Sequence, residues 1–317
     1  MKPLCRRGIF AILIITMIVV NGCSESSPRT IARSVYGSSQ LITDMARVGD
    51  RLFAAGEYGR ILVSENDGRD WTPVSTPTTA LLTAVFFLNE QHGWAVGHDM
   101  TILHTEDGGK HWELQFQSEE EARPLFDVRF IDPDRGLAVG AFGAMLITSD
   151  GGRHWKNIQN EKNDRHLNAV IELADSSLLV VGESGTVLRS HDLQNWSAIE
   201  VPYQGSLFGA LETPQGVWLL HGLRGTVLRS DDQGQHWSLF QVQPNIPLYT
   251  NALTETGTIL LAGATGTILV SQNAGQSFSV KGKYGTETLS SLLPLDKDTI
   301  LLAGVHGIHS FLLQQHD

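Results

Sequence analysis

The sequence predicts an all-β fold, a single seven-bladed β-propeller. One phrase recurs seven times: a short apolar run, a glycine, two variable residues, usually a second glycine, and a further apolar run. A period near 40 residues is typical of units of about four short strands that bury their apolar faces only against one another. Seven such units closed into a ring leave few unpaired strand edges. The phrase begins at Gly56, Gly97, Gly140, Gly182, Gly222, Gly263 and Gly304.

The composition agrees with a strand-rich chain that has many tight turns. Glycine occurs 32 times, and charged residues make up only 18% of the 317 residues, against the usual quarter. The two cysteines, Cys5 and Cys23, both precede the repeats. A disulfide framework or a cysteine-based metal site in the repeat region is therefore excluded.

The N-terminus has the pattern of a secretion signal. Three cations among the first seven residues precede an apolar stretch at residues 9–20, which is too short to span a bilayer but suits a signal-peptide core. The following Asn21-Gly22-Cys23 resembles the bacterial lipobox, in which the cysteine is lipidated and becomes the new N-terminus. We therefore expect a signal peptide at residues 1–22, lipidation at Cys23, a short tether at 23–29 and the propeller at 30–317.

The residue after Cys23 bears on the membrane that holds the anchor. Ser24 stands where an inner-membrane retention signal would show aspartate, so the resemblance implies a periplasm-facing outer-membrane lipoprotein. An inner-membrane anchor and a secreted form are the alternatives. Cleavage would take the net charge from −11 to −14, because three cations and no acids precede Cys23. So acidic a surface argues against nucleic acid as a partner, and we expect a monomer that contacts the membrane through its lipid.

A second motif follows the glycine phrase at a constant offset in six units. Its pattern, Ser/Thr-x-Asp-x-Gly-x-x-Trp, resembles the Asp-box, also called the bacterial neuraminidase repeat. In a tight hairpin, Asp or Asn bonds the backbone two residues on, glycine takes a positive φ and the aromatic ring caps the sheet. Recurrence in almost every unit predicts a structural role, since a catalytic site would occur once. The residues are Asn66 and Trp71, Asp107 and Trp112, Asp150 and Trp155, Asp192 and Trp196, Asp232 and Trp237, and Asn273 and Phe278.

The seventh unit ends at residues 311–313, after its third strand and without an Asp-box. An open blade would expose an unpaired strand edge. The segment 29–36 precedes the first unit and contains Ile31, Val35 and Tyr36 in a strand-like run. We expect this N-terminal strand to complete the last blade and close the ring.

A binding site is expected on the loop face, the surface made by the glycine turns and the links between blades. In a propeller these two sets of loops share one face, and the Asp-box turns lie on the other. The residues of the loop face differ from blade to blade, so they can be selected for binding. Aromatic residues and arginine are enriched in interfaces. The candidate partner-binding residues are Tyr58, His98, Asp99, Arg123, Phe142, Arg165, Glu183, Tyr203, Arg224, Tyr249, Tyr284 and His306.

No catalytic, cofactor or metal site is predicted. The chain shows no nucleophile elbow, zinc-protease motif or phosphate-binding glycine loop. Arginines, tyrosines and acids are present, but no phrase places them together as a sialidase or glycosidase requires. His98 and Asp99 with His306 form only a weak metal-ligand pattern, because they belong to separate loops.

The seven units, the combined glycine and Asp-box phrasing and the lipidated start resemble the photosystem II assembly and stability factor family of propellers. The resemblance covers about residues 30 to 313. It implies a scaffold that holds membrane-protein subunits during assembly. We therefore expect a non-enzymatic lipoprotein that binds an envelope membrane-protein complex, for example a transporter. The alternative is a glycan-binding lectin or a sialidase-like or glycosidase-like enzyme, which would place acids and arginines at one end of the central channel.

Overall fold

The computed structural model describes residues 40–118, 120–158 and 164–313, and these residues form seven antiparallel sheets. The first two sheets comprise β1 (Ile42–Val48), β2 (Arg51–Gly56), β3 (Ile61–Ser64) and β4 (Thr72–Val74), then β5 (Leu82–Phe87), β6 (Gly93–Gly97), β7 (Ile102–Thr105) and β8 (Glu113–Phe116). The next two comprise β9 (Leu125–Phe130), β10 (Gly136–Gly140), β11 (Met145–Thr148) and β12 (Lys156–Asn157), then β13 (Leu167–Glu172), β14 (Leu178–Gly182), β15 (Val187–Ser190) and β16 (Ser197–Ala198). The last three comprise β17 (Leu207–Glu212), β18 (Trp218–Gly222), β19 (Thr226–Ser230) and β20 (Ser238–Gln241); β21 (Leu248–Leu253), β22 (Ile259–Gly263), β23 (Thr267–Ser271) and β24 (Ser279–Lys283); and β25 (Leu289–Pro294), β26 (Thr299–Gly304) and β27 (Gly307–Leu312).

Each sheet is one blade, and its strands are hydrogen-bonded in chain order from the central channel outward. The predicted all-β, seven-bladed propeller is confirmed, and the helices among the described residues are three-residue 3₁₀ turns within the glycine phrases. Blade seven shows three strands in the described part of the chain. The fourth strand expected from segment 29–36 lies outside the described residues, as do Cys23 and the signal sequence, so those predictions stay open.

Burial varies systematically across each blade. The second strands are buried at every position in five blades, as in Leu178–Gly182, and at all but the first position in blades one and seven, because each is covered on both faces by neighbouring blades. The fourth strands are short and mostly exposed, as in Ser238–Gln241. The core is therefore a series of apolar layers between blades, for which near-continuous apolar second strands are the sequence signal.

The first and last blades contact each other and close the ring at its inner edge. Leu52 of blade one packs in the same apolar cluster as Leu301 of blade seven. The Ser290 hydroxyl donates to the Ile42 carbonyl at 2.6 Å, and the Met45 N–H donates to the Ser291 hydroxyl at 3.2 Å.

Close backbone approach explains why glycine recurs at the end of every second strand. At Gly182, for example, φ is extended, and a Cβ would lie 2.2 Å from the His166 carbonyl oxygen. The equivalent glycine of each other blade would bring its Cβ to between 2.1 and 2.4 Å from the matching carbonyl. Glycine is required because the second strand passes directly over the backbone that precedes the first strand.

The second glycine of the phrase has a positive φ, as at Gly185, where φ is 68°. Blade two places Met100 there instead, also with a positive φ, and its side chain is buried in the core. The turn backbone is thus kept, with a methionine added to the apolar layer. Among the described residues, no helix is long and apolar enough to cross a membrane.

Candidate functional site

Hydrogen bonds show that the glycine turns and the links between blades share one face. The N–H of Gly59 donates to the Ala80 carbonyl in the next link, and Gly185 does the same to Gly205. On the opposite face, Gly108 of an Asp-box turn bonds Gln91, in the turn between the first two strands of its blade. This is the arrangement expected for the loop face.

A ring of bulged residues surrounds the mouth of the central channel on the loop face. The pairing of each first strand with its second strand skips one residue near the start, as between Leu82 and Ala84. The skipped residue is the second of the strand in every blade, and its side chain lines the channel. The seven residues are Thr43, Thr83, Phe126, Asn168, Phe208, Tyr249 and Ser290.

Four members of this ring are polar and join neighbouring blades. The hydroxyls of Thr43 and Thr83 donate to carbonyls of the next first strand at 2.7 Å, and the Asn168 amide does so at the same distance. Ser290 makes the corresponding bond to blade one. The hydrogen bonds of these four side chains therefore stabilise the contacts between blades.

The other three members, Phe126, Phe208 and Tyr249, are aromatic and form an apolar rim. The rings of Phe208 and Tyr249 lie 5.0 Å apart, and Tyr249 is 37% exposed. Apolar rings at the mouth of a channel suit the binding of a chain segment with aromatic or aliphatic side chains. Of these three, sequence reasoning found only Tyr249.

A second group lies beside this rim, between blades three and four. Phe142 projects from its turn with 51% exposure and contacts the His166 ring edge-on at 5.0 Å. The backbone N–H of His166 donates to the Glu183 carboxylate at 3.0 Å. Arg123 pairs with Glu121 and donates to the Phe142 carbonyl at 3.5 Å. The structure thus brings together Phe142 and Glu183 at His166, a histidine that the sequence did not single out, and places the predicted Arg123 against Phe142.

The remaining predicted residues divide into exposed and packed ones. Tyr58 is 70% exposed at the tip of its turn, and Arg224 and Arg165 are also exposed. By contrast, Tyr203 packs against the core between blades four and five, and Tyr284 contacts His309 at 4.7 Å. Both tyrosines therefore stabilise the fold by packing, in addition to lying at the loop face.

The three residues considered as a weak metal pattern lie in two blades. His98 and Asp99 occupy the glycine turn of blade two, and the Asp99 carbonyl accepts the Ser118 N–H at 3.0 Å. His306 lies in blade seven, with its Nε2 3.7 Å from Glu287. Among the described residues, these three do not form a group close enough to hold a metal ion.

The central channel, with a volume of about 500 Å³, is lined by two carboxylates, Asp44 and Asp127, and by two arginines, Arg47 and Arg129. Burial raises the pKa of Asp44 above its ordinary value, and it raises the pKa of Asp127 to about 6 although Arg129 lowers it. Asp44 accepts the Val85 N–H at 3.0 Å, and Asp127 accepts the Val170 N–H at 2.8 Å. Each carboxylate therefore links its blade to the next one through a backbone N–H. The Ser291 hydroxyl, at the equivalent position of blade seven, makes the same kind of bond to blade one.

The predicted Asp-box residues lie in the turns between third and fourth strands. The Thr105 hydroxyl accepts the Gly109 N–H at 2.8 Å, and the Asp107 carboxylate accepts the His111 N–H at 2.9 Å. This carboxylate also accepts the Lys110 N–H at 3.0 Å, so in this turn it bonds backbone three and four residues on, whereas the sequence predicted a bond two residues on. Blade four differs, because Asp192 bonds the N–H of Gln194 at 2.9 Å and Leu193 takes the positive φ of the absent glycine.

The aromatic residues of these turns cover the outer edge of the blades. Trp71 and Trp112 are 6% and 5% exposed. The indole N–H of Trp71 donates to the Gly68 carbonyl at 3.1 Å. Trp155, Trp196, Trp237 and Phe278 are partly buried against the adjacent apolar clusters.

Phe126, His166 and Phe208 are the loop-face residues that sequence reasoning missed. Each lies at or just before the start of a first strand, where alternating apolar residues look like ordinary core. Comparing the second position of all seven first strands would have separated the three aromatic residues from the four polar ones.

Comparison with known proteins identifies similar chains. A family model described as photosynthesis system II assembly factor YCF48 matches residues 63–124 and 115–239. Photosystem II assembly protein Ycf48 of Thermosynechococcus vestitus is 40% identical over 47 residues, which is 15% of this chain and 14% of that protein. Photosystem II assembly lipoprotein Ycf48 of Trichormus variabilis is 43% identical over 58 residues, 18% of this chain and 17% of that protein. The chain thus matches less than a fifth of the length of these curated relatives.

Solved structures share the fold over most of the chain. The structure titled YCF48 bound to D1 peptide has a TM-score of 0.73 at 19% identity and covers 90% of this chain and 96% of its own. YCF48 from Cyanidioschyzon merolae has a TM-score of 0.71 at 14% identity, with coverages of 89% and 98%. A virginiamycin B lyase from Staphylococcus aureus has a TM-score of 0.74 at 11% identity, with coverages of 90% and 98%. At these identities the likeness shows the propeller fold alone.

Proposed function

Since this chain belongs to the family of the photosynthesis system II assembly factor YCF48, we propose that it is a non-enzymatic assembly scaffold that binds a membrane protein. The bound element is an extended segment of that protein, and the binding surface is the loop face. One solved relative carries a D1 peptide by its title, which supports a segment rather than a whole folded domain as the bound element.

The observation that carries this proposal is the apolar rim beside the Phe142 group. Where the other four ring members have polar side chains that bond the next blade, Phe126, Phe208 and Tyr249 have aromatic rings at the channel mouth. Phe142 extends this surface outward toward blade four, where His166 supports it. Exposed aromatic rings beside an arginine have the composition of an interface hot spot.

We further propose that the chain is anchored as a lipoprotein through Cys23 and faces the periplasm from the outer membrane. The lipobox-like sequence supports this location, and two curated relatives carry lipoprotein in their names. A membrane tether would keep the propeller close to membrane-protein segments. A transporter complex is the kind of partner we favour.

A glycan-acting enzyme or lectin is the second candidate, because Asp44, Asp127 and Arg129 do meet in the channel. Both carboxylates bond the backbone of the next blade, so their position is explained by the fold. The test is incubation of the full chain with fluorogenic sialosides and common glycosides. Turnover that is lost in Asp127→Asn would replace the scaffold proposal.

Partner capture from crosslinked envelopes tests the scaffold proposal directly. The variant Phe142→Ala with Tyr249→Ala removes two exposed rings of the loop face. The control, Leu114→Ala with Leu239→Ala, removes side chains of similar exposure, 42% and 45%, from fourth strands of blades two and five. Truncation of one hot-spot residue costs about 2 kcal/mol or more, which is roughly thirty-fold in affinity, so we expect the double loop-face variant to lose at least this factor in affinity and to recover much less of an integral membrane protein. Equal recovery by both variants would contradict the proposed surface.

A further inference from the structure

Three metal-ligating side chains meet in blade two, on the face opposite the loop face. His92 lies in the turn between β5 and β6, His104 lies in β7, and Glu106 follows β7 in the Asp-box turn. Their ligand atoms all lie within 4.8 Å of one another. Among the described residues, this is the group of histidine, cysteine and acidic side chains that could hold a metal ion.

His104 is held rigidly in this group. The residue is 8% exposed, and its ring stacks on the buried indole of Trp94 at 4.6 Å. The ring of His92 lies nearly parallel on it, 5.8 Å away and tilted by 17°. The imidazole is therefore oriented by packing before any ligand arrives.

The Nε2 atom of His104 is buried and has no hydrogen-bond partner among the described residues. Buried polar atoms are nearly always paired, and each exception calls for a physical explanation such as a bound ion. The residue at this strand position in the other Asp-box blades is Val63, Ile147, Arg189, Arg229 or Val270. The repeat itself therefore does not require a histidine here.

The chemistry of the three donors is that of a borderline divalent metal. Two imidazole nitrogens and one carboxylate oxygen are the protein ligands of open, tetrahedral zinc sites, whose fourth position is taken by water or another molecule. Imidazole also suits copper and nickel. Bonds of about 2.0–2.2 Å place tetrahedral donors roughly 3.3–3.6 Å apart, so donors that lie within 4.8 Å of one another need to approach by at most about 1.5 Å. Glu106 is exposed and His92 lies in a surface turn, so both can make this movement.

We propose that His92, His104 and Glu106 form a site for a divalent transition metal ion, with Zn²⁺ as the preferred occupant. The ion would join the turn between the first two strands of blade two to its third strand and its Asp-box turn. One coordination position would remain open on this face. The sequence predicts no such site, because the three residues form no recognised metal motif.

Titration of the full chain, purified in detergent without a histidine tag and stripped of metal with a chelator, tests this site. Calorimetry with ZnCl₂ gives the stoichiometry, and CoCl₂ gives the visible absorption of tetrahedral Co²⁺. We expect one Zn²⁺ per chain and a rise in the thermal midpoint, since a ligand that binds only the folded state stabilises it. His92→Ala should weaken binding at least ten-fold, and Glu106→Gln should weaken it several-fold. Both changes lie at the surface, whereas His104 is too deeply packed to be replaced safely.

Two matched variants serve as controls. Glu65→Gln changes the glutamate at the equivalent position of the blade-one turn, which has Val63 in place of the histidine. His236→Ala removes an exposed histidine that pairs with Asp232 at 2.6 Å on the same face. Neither should change the affinity. Absence of stoichiometric Zn²⁺ binding, unchanged affinity in His92→Ala, or equal losses in the controls would overturn the proposal.

Discussion

Replacing Gly182 by alanine should destabilise the propeller strongly, although alanine is small and φ at this position is extended. The new Cβ would lie 2.2 Å from the His166 carbonyl oxygen, whereas ordinary contact begins near 3.4 Å. The start of β13 and the end of β14 must therefore separate by more than 1 Å. That movement strains the Glu183 N–H to His166 carbonyl bond of 2.8 Å and disturbs the Phe142 group.

The magnitude follows from two contributions. Overpacking against a close-packed backbone costs about 1–3 kcal/mol, and weakening one backbone hydrogen bond costs about 1 kcal/mol. We expect a loss of about 2–4 kcal/mol in the free energy of unfolding, a large share of the roughly 5–15 kcal/mol typical of a folded protein. Equilibrium unfolding in urea, followed by tryptophan fluorescence, measures it.

Gly216→Ala is the matched control. Gly216 has a positive φ of 76° and no atom within 4 Å of the added Cβ. Its replacement should cost only the left-handed backbone penalty, about 1–2 kcal/mol. If Gly182→Ala cost no more than Gly216→Ala, close backbone approach would not be the reason for the repeated glycine.

Three further outcomes are expected. Burial raises the folded-state pKa of Asp127 to about 6, so between about pH 4 and 6 the folded protein holds a proton on Asp127 that the unfolded chain has lost. The contribution of Asp127 to the free energy of unfolding should therefore be largest below about pH 4 and should fall as the pH rises to about 6. Thermal melts over this range should show a midpoint that depends less on pH in Asp127→Asn than in the unaltered protein. Cys23→Ala should abolish labelling by a palmitate analogue and release the chain from membranes, and undiminished labelling would argue against lipidation at this residue. Deleting residues 29–36 should lower the midpoint of thermal unfolding, because we expect this segment to supply the outer strand of blade seven. An unchanged midpoint would contradict that prediction.

Much of the fold could be predicted from the sequence because its determinants are local and repeated. Gly182 and Gly185 reflect one backbone path, in which the first glycine avoids a carbonyl and the second takes a positive φ. The Asp-box turn likewise closes within a few residues, as Thr105 and Asp107 show. Seven copies of one phrase therefore revealed the seven blades.

The candidate site was predicted only in part. The position of a residue within the repeat indicates the face of the propeller on which it lies, but not which residues of other blades it contacts. Phe142 was identified from its place in the turn, but its neighbour His166 comes from the next blade. Tyr203 and Tyr284 have the same sequence signal as exposed tyrosines, yet both are half-buried by packing against adjacent blades.

The sequence by itself determined the class of fold, the number of blades and the face on which variable residues accumulate. Only the tertiary structure decided which residues meet at the channel mouth, because the bulge that turns Phe126 and Phe208 into the rim exists only when first strands pair with second strands. It also decided the surroundings of His221, which is fully buried and bonds the Leu248 carbonyl of the next blade at 2.9 Å, the bond that the polar rim residues make elsewhere. Contacts between blades join residues some 40 positions apart, and no pattern within one repeat records them.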